Sequence, residues 1–183
     1  MPRPATQAIL FVDGYNVIGA WARLKQVQDE QGLEAARHDL VETLVGYSAF
    51  QGFDTRVVFD AQYQGSPGCR EAITPNLSIC YTDYKQTADT YIEKSCALFR
   101  NDLRKFQQRL IVATSDRAQQ LTVVGYGAEW MSAHQLLADV ELATLKVRRK
   151  QRVGRGRSPN RFLSNSLDPV AQQRLARMRM GLE

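Results

Sequence analysis

The chain has 183 residues, of which 44% are hydrophobic and 23% are charged, and its formal net charge is +5. This length suits one α/β domain with room for a short appendage. No apolar run approaches the roughly 18 residues that a membrane span needs, and the first residues lack the apolar core of a secretory signal. These features predict a cytoplasmic protein with no membrane partner.

The cysteines argue against two kinds of stabilising centre. Cys69, Cys80 and Cys96 are odd in number and too widely spaced for a Cys-x-x-Cys zinc knuckle. A disulfide framework and a structural zinc site are therefore not expected. We expect all three cysteines to be buried thiols.

Short apolar segments alternate with longer polar segments of helical period. The apolar segments are AILFV (8–12), RVVFD (56–60), LSICYT (77–82) and LIVAT (110–114). Such alternation is typical of parallel strands joined by helices, so it predicts an α/β sandwich. The stretch 61–76 is rich in Gly, Pro and Asn, which predicts a loop between the second and third strands.

Two helices are predicted in the second half of the chain. The first spans Ala88 to Phe106, because apolar residues recur there at helical spacing. They are Ile92, Cys96, Phe99, Leu103 and Phe106. The second runs from about Ala133 to Lys150, and its far end becomes basic. Its apolar side consists of Leu136, Leu137, Val140 and Leu145.

The positive charge is concentrated near the C-terminus. Between Leu142 and Leu167 there is no Asp or Glu, and eight cationic residues form what we name the basic band. They are Lys146, Arg148, Arg149, Lys150, Arg152, Arg155, Arg157 and Arg161. Subtracting these eight charges from the net +5 leaves the rest of the chain at −3. Charged runs are commonly solvated surface, but eight cations without an anion favour binding to an RNA phosphate backbone.

The charge distribution also suggests a division of the chain. We predict an α/β domain over residues 1–145 and a basic RNA-binding extension over residues 146–183. Within the extension, Asp168 suits a helix N-cap and Pro169 the first helical position, so a short terminal helix is expected.

Four aspartates occupy positions that the predicted topology brings together. Asp13, Asp60 and Asp116 each lie at or just past the end of a predicted strand, and Asp89 begins a helix with Glu93 one turn later. Ligands of open parallel sheets bind outside the carboxyl ends of the strands. Converging carboxylates repel one another unless a cation neutralises them, which predicts a hard-metal site for Mg²⁺ or Mn²⁺.

Each of these polar residues also has a purely local alternative. Asp before Gly, as at Asp13, is a common turn pair, and Asp116 is a good helix N-cap. Asn16 is placed either to hold a metal-bound water or a phosphate, or to bond the nearby backbone. Five aromatic residues in or near the predicted loops at the strand ends could stack on unpaired RNA bases, with packing in the core or at the rim as the alternative for each. They are Tyr15, Trp21, Tyr63, Tyr81 and Tyr84, and we assign the stacking role to Trp21.

Four segments together resemble a known family. They are FVDGYNVIGAW (11–21), VVFDA (57–61), TADTYIEK (87–94) and VATSDRAQQ (112–120). In this order they look like the NYN domain, and within it the bacterial YacP-like group of ribosome-associated messenger-RNA endonucleases. The resemblance covers roughly residues 7 to 150. It implies a PIN-like, three-layer α/β/α sandwich with a mainly parallel sheet.

The resemblance also implies an activity and a set of site residues. The activity is metal-dependent endonucleolytic hydrolysis of RNA, with mRNA as substrate and the ribosome as partner. The acidic cluster of the family maps onto Asp13, Asp89 and Asp116, with Asn16 beside them and Asp60 as a nearby contributor. One or two metal ions activate water and stabilise charge in such hydrolysis, so no histidine need act. This suits a chain with only His38 and His134.

Two functions of other classes stay open on sequence grounds. One is a phosphotransfer domain that is phosphorylated on Asp13 or Asp60, which would explain the acidic strand ends but not the basic band. The other is a non-catalytic RNA-binding module in which the acids hold a structural cation. Neither G-x-G-x-x-G nor G-x-x-x-x-G-K-[ST] occurs at a strand end, so no nucleotide cofactor is expected.

Overall fold

The computed structural model describes residues 7–60 and 68–156, with side chains to residue 152. The strands in these ranges are β1 (Ala8–Asp13), β2 (Phe53–Phe59), β3 (Cys69–Thr74), β4 (Leu77–Tyr81), β5 (Arg109–Ala113) and β6 (Glu129–Met131). The helices are α1 (Gly14–Ala20), α2 (Ala22–Gln31), α3 (Leu33–Gln51), α4 (Ala88–Arg100), α5 (Arg117–Gly125) and α6 (Ala133–Gly156). In the described ranges no helix is both long and apolar enough to cross a membrane.

The strands form one sheet in the order β3-β4-β2-β1-β5-β6. Every neighbouring pair is parallel except β3 with β4, which is antiparallel. β1 lies between β2 and β5, so it pairs with a strand on each side. The mainly parallel α/β sandwich predicted from the sequence is confirmed.

Helices cover both faces of the sheet because successive side chains of a strand point in opposite directions. Leu10 and Val12 of β1 belong to a core cluster with residues of α1, α2, α3 and α6. Ile9 and Phe11 belong to a second cluster with residues of α4 and α5. This arrangement is the three-layer α/β/α sandwich, and burial on both faces explains why β1 reads as a continuous apolar run.

Glycines shape two positions of this architecture. Gly52 follows α3 in the left-handed region at φ 68°, a conformation that ends helices at little cost in glycine. Gly14 begins α1 directly after β1, and a Cβ placed there would overlap the ring of Phe59. The glycine of the D-G-Y-N segment therefore lets the first helix approach the end of β2.

Several sequence-based expectations are wrong in detail. The sequence predicts a loop over 61–76, but Cys69–Thr74 forms β3, because β4 offers it an edge for antiparallel pairing. The helix predicted to reach Phe106 ends at Arg100, and a short 3-10 helix follows over Leu103–Phe106. Leu103 and Phe106 are 81% and 77% exposed, so the apolar stripe does not continue there.

The remaining differences concern burial and one missed strand. Cys80 and Cys96 are buried as expected, but Cys69 is exposed because it lies on the edge strand β3. Leu145 is exposed because it lies about 200° around the helix from Ala143, outside the buried face formed by Ala133, Leu136, Val140 and Ala143. Glu129–Met131 forms β6, whose three residues are too few to show a period in the sequence.

The chain divides into two compact units, Met1–Thr144 and Leu145–Glu183. The whole sheet and helices α1 to α5 belong to the first unit. The division falls inside α6, which continues to Gly156. The terminal helix expected after Asp168 lies outside the described residues.

Candidate active site

The candidate site lies at the carboxyl edge of the sheet. The chain passes from β1 to β2 and then β4 on one side, and returns past β1 to β5 on the other. The order of the strands therefore reverses between β1 and β5, and this is where open α/β sheets bind ligands. Asp13 ends β1, and Asp116 follows β5.

Asp13 is a buried carboxylate, with 7% of its surface exposed. It is the N-cap of α1, and its Oδ1 accepts a hydrogen bond from the backbone N–H of Asn16 at 3.2 Å. The pKa of Asp13 is raised to about 7, chiefly by burial. The charges of Asp89, Asp60 and Asp116 also raise this pKa, against the lowering effect of the capping bond. The group is therefore one of four like charges that act on one another.

Asp89 and Asp60 approach Asp13 from the α4 side. Asp89 lies in the first turn of α4, and its charge raises the pKa of Asp13. Burial raises the pKa of Asp89, with further contributions from Asp116, Asp60 and Glu93. Asp60 follows β2, and its Oδ1 accepts a hydrogen bond from the backbone N–H of Ala88 at the start of α4. This bond fixes the start of α4 against the end of the sheet.

Asp116 and Asn16 complete the edge from the β5 side. Asp116 is the N-cap of α5, where its Oδ1 accepts from the N–H of Gln119 at 2.9 Å. Its own N–H donates to Oγ1 of the buried Thr114 at 3.1 Å. The Oδ1 of Asn16 accepts from the N–H of Ser115 at 2.7 Å. Because the backbone N–H must donate, the Nδ2 group of Asn16 is left as a donor.

The capping role anticipated for Asp116 is therefore confirmed, and Asp13, for which the sequence suggested a turn pair with Gly14, is an N-cap as well. Both caps coexist with the cluster. Capping uses one oxygen of each carboxylate and sets the direction of the other. No Lys or Arg in the described ranges forms an ion pair with any of the four aspartates, although arginines form six such pairs elsewhere on the described surface. Among residues 7–60 and 68–152, the negative charge at this edge is therefore not neutralised by an ion pair.

These oxygen donors suit a hard cation that keeps several of its water ligands better than a cation coordinated by protein atoms alone. Oxygen ligands of this kind are the ones that Mg²⁺ prefers, usually as one or two carboxylates plus several waters. Among the described residues, no three His, Cys, Asp or Glu side chains are arranged so that they could hold a metal ion by themselves. The four aspartates thus share an edge without forming a preassembled set of direct ligands.

Trp21 does not occupy the role that the sequence suggested. It is 2% exposed, and its Nε1 donates a hydrogen bond to the carbonyl of Ala133 at 2.7 Å. A buried, bonded indole offers no face to an RNA base, so its assignment to RNA stacking is wrong. The helix α1 is only 7 residues long and turns Trp21 inward at its end.

The basic band is described only in part. Lys146, Arg148, Arg149, Lys150 and Arg152 are exposed residues of α6. Arg155 lies in the same helix, but its side chain is outside the described set, as are Arg157 and Arg161 altogether.

Sequence reasoning missed one cationic residue near the site. Arg37 of α3 donates from Nη1 to the Tyr15 hydroxyl at 3.4 Å and lies over the ring of Phe59, 5.9 Å from its centroid. The same arginine pairs with Glu34. It lines an open cleft of about 740 Å³ together with Phe59 and Tyr81, which end β2 and β4. No spacing in the sequence connects Arg37 with the D-G-Y-N segment, because only the packing of α3 brings them together.

Comparison with known proteins gives a consistent result. Residues 10–180 match the family model of the YacP-like NYN domain. The uncharacterized protein YacP of Bacillus subtilis (strain 168) is 35% identical over 145 residues, which are 79% of this chain and 81% of that protein.

Two solved structures of Rae1 (YacP) from Bacillus subtilis are similar as well. A mutant form has a TM-score of 0.67 and 30% identity, covering 92% of this chain and 98% of its own. The other has a TM-score of 0.65 and 30% identity, covering 94% and 95%. The chain therefore belongs to the YacP-like NYN domain family, an RNase-like nuclease family with the PIN-like fold.

Proposed function

We propose that this protein is a metal-dependent endoribonuclease that hydrolyses phosphodiester bonds of RNA with Mg²⁺ or Mn²⁺ at the carboxyl edge of the sheet. The observation that carries the proposal is the environment of Asp13. A carboxyl group whose pKa is raised to about 7 by burial and by three neighbouring aspartates is unfavourable in its charged form unless a cation joins it. The described residues supply no such cation as an ion pair.

The residues at the carboxyl edge of the sheet would have different roles according to where they lie. Asp13 and Asp89, whose charge raises the pKa of Asp13, would hold the metal, with Asp60 and Asp116 contributing from either side. A bound divalent ion supplies a water of lowered pKa and neutralises charge on the phosphate. Asn16 would orient the substrate, because its Nδ2 group is left as a donor beside the edge without adding charge.

RNA as the substrate follows from the family. We extend it to mRNA and to action at the ribosome, because the residue pattern resembles the YacP-like group. The exposed lysines and arginines of α6 support this extension, since phosphate contacts of this type hold long RNA without reading its sequence.

The proposal is tested with a circular RNA, which only an endonuclease can open. The parent protein is expected to linearise it in Mg²⁺ or Mn²⁺ and to be inactive in EDTA. Asp13→Asn and Asp89→Asn are each expected to lower the rate at least about 100-fold, because each removes a ligand charge. Asp29→Asn, on the exposed surface of α2, is the matched control and is expected to keep the parent rate.

The alternatives give different results in the same experiment. Binding of the circle with no cleavage in any metal would indicate a non-catalytic RNA-binding module. Cleavage that persists in EDTA, or in Asp13→Asn at saturating metal, would overturn the metal site. A hydroxylamine-sensitive phosphate on Asp13 or Asp60 after incubation with a phosphodonor would instead indicate the phosphotransfer function.

A further inference from the structure

An exposed aromatic residue and a lysine occupy the loop that leads into the candidate site. The β4–α4 loop comprises residues 82–87 and connects the carboxyl end of β4 with the start of α4. Tyr84 in this loop is 71% exposed, and the ammonium of Lys85 lies 5.5 Å from the centroid of its ring. Neither residue belongs to the segments that carry the family resemblance.

The loop is held in place by hydrogen bonds on both sides of this pair. The N–H of Thr82 donates to the carbonyl of Phe59 at 3.1 Å, and its hydroxyl donates to the carbonyl of Gln86 at 2.6 Å. The N–H of Gln86 donates to the carbonyl of Asp83 at 2.9 Å. The Asp83 side chain in turn accepts from the N–H of Gly68 at 2.9 Å. Tyr84 and Lys85 are therefore presented from a fixed frame.

Lys85 has an unusual backbone conformation. Its φ of 68° makes it the one non-glycine residue with positive φ in the described ranges. A lysine gains nothing locally from the left-handed region, which L side chains enter at a cost of roughly 1 kcal/mol or more. Its ammonium lies over the ring of Tyr84, and both side chains are exposed to solvent.

The β4–α4 loop leads directly into the first turn of α4. The first residue of α4, Ala88, donates its N–H to Asp60, and the second residue is Asp89. Tyr84 thus lies five residues before Asp89, a proposed metal ligand. The helix that follows the loop is held by the hydrogen bond from Ala88 to Asp60. Lys85 is the only cationic residue of the loop, beside an edge that would otherwise repel a polyanion.

We infer that Tyr84 and Lys85 form a subsite for one unpaired nucleotide of the RNA, next to the bond that is cut. The base stacks on the exposed ring of Tyr84, and the ammonium of Lys85 pairs with the adjoining phosphate. The inference rests on the proposed function and assigns to it two residues that would hold the RNA beside the bond that is cut. A base-paired nucleotide has no free face for the ring, so duplex RNA is excluded from this subsite.

The subsite is tested by binding in EDTA, where cleavage does not interfere. Single-stranded oligonucleotides carry 2-aminopurine at successive positions, because its fluorescence falls when it stacks on an aromatic ring. For the parent we expect quenching at one position. Tyr84→Ala is expected to abolish that quenching and to weaken binding roughly tenfold or more. Tyr84→Phe is expected to retain both, because the stacking face is kept.

The matched aromatic control is Tyr126→Ala. Tyr126 is also exposed, but it follows the far end of α5, away from the carboxyl edge. This variant is expected to bind and quench as the parent does. A loss equal to that of Tyr84→Ala would show a general effect of removing surface aromatics and would overturn the subsite.

The role of Lys85 is tested with two substitutions. Lys85→Gly removes the charge and suits a φ of 68°, so it is expected to fold at least as stably as the parent. It is expected to lower the slope of log affinity against log salt by about 0.7, the value for one phosphate of a single strand. Lys85→Arg is expected to restore the slope. An unchanged slope in Lys85→Gly would overturn the phosphate contact.

The outcomes separate this inference from the proposed function. Cleavage by the parent with normal binding and quenching by Tyr84→Ala would overturn the subsite and leave the nuclease assignment in place. Quenching that depends on Tyr84, without cleavage in any metal, would support the subsite and overturn the nuclease. Equal losses of duplex and single-stranded binding in Tyr84→Ala would overturn the single-strand preference, and no binding by the parent would overturn both proposals.

Discussion

Asn16 and Ser115 are 99 residues apart in the chain and are joined by a hydrogen bond of 2.7 Å, from the Ser115 backbone N–H to the Asn16 side chain. This bond crosses the point where the strand order reverses, between the ends of β1 and β5. It ties the segment that follows Asp13 to the segment that precedes Asp116. Asn16 thus has a structural role beside the one proposed for it in catalysis.

We expect Asn16→Ala to lower the free energy of unfolding by about 0.5–1.5 kcal/mol, the net contribution of one hydrogen bond, because water can replace the acceptor of the exposed Ser115 N–H. Asn16→Asp keeps an acceptor but adds a charge beside Asp13, so its stability is expected to rise more steeply with Mg²⁺ than that of the parent. Urea unfolding with and without Mg²⁺ measures both. Asn101→Ala, at the exposed end of α4, is the control. Equal stability of Asn16→Ala and the parent would contradict the proposed tie.

We expect Asp13→Asn to stabilise the metal-free protein at neutral pH. The pKa of Asp13 is raised from its usual 3.8 to about 7 in the folded state, mainly by burial. Between these values the folded state binds the extra proton, so the parent loses stability as the pH rises from about 4 to about 7. The asparagine keeps the capping acceptor and does not titrate. The gain is therefore expected to grow over this window towards an upper limit of about 4 kcal/mol.

Urea unfolding in EDTA across this pH range measures the difference between Asp13→Asn and the parent. The difference is expected to be small near pH 4 and constant above pH 7. Adding Mg²⁺ is expected to stabilise the parent and to have little effect on the variant. A difference that does not change with pH would show that the Asp13 carboxyl is ionised without cost in the folded protein.

We expect opposite effects from two glycine substitutions in α1. A methyl group at Gly14 would overlap the Phe59 ring, so Gly14→Ala is expected to cost about 1–3 kcal/mol through overpacking. Gly19 lies in the same helix, and a methyl group there would meet nothing within 4 Å, so Gly19→Ala is expected to add about 0.5–1 kcal/mol. Thermal unfolding of both variants tests this. A loss of stability in both would point to the helix itself rather than to the contact with Phe59.

We expect the basic band to set the salt dependence of RNA binding. Replacing its eight lysines and arginines with glutamine leaves the remainder of the chain at −3, so affinity should fall and the slope of log affinity against log salt should become shallow. Fluorescence anisotropy over a salt series measures the slope, and circular dichroism checks folding. The cleavage pattern is expected to persist at high enzyme concentration. An unchanged slope would show that the band is solvated surface.

The sequence by itself determined the class of fold and the identity of the acidic edge. Alternation of buried apolar runs with helical segments is sufficient for a parallel sheet, because strands covered on both faces need apolar residues throughout. The aspartates could be placed at one edge for the same reason, since parallel strands end on the same side. The cap at Asp116 followed from local backbone chemistry.

Only the tertiary structure decided which side chains meet and which are hidden. From the sequence, Trp21 could equally face RNA or the core. In the structure its indole N–H donates to the carbonyl of Ala133, 112 residues away, and the ring is buried. Cys69–Thr74 became a strand because β4 offers it a pairing edge, and its own residues carry little strand pattern. Likewise the pKa of Asp13 depends on burial and on three carboxylates from other elements. Contacts between segments that are distant in the chain produce no repeating pattern in the sequence. Their energies therefore depend on how the helices and the sheet pack.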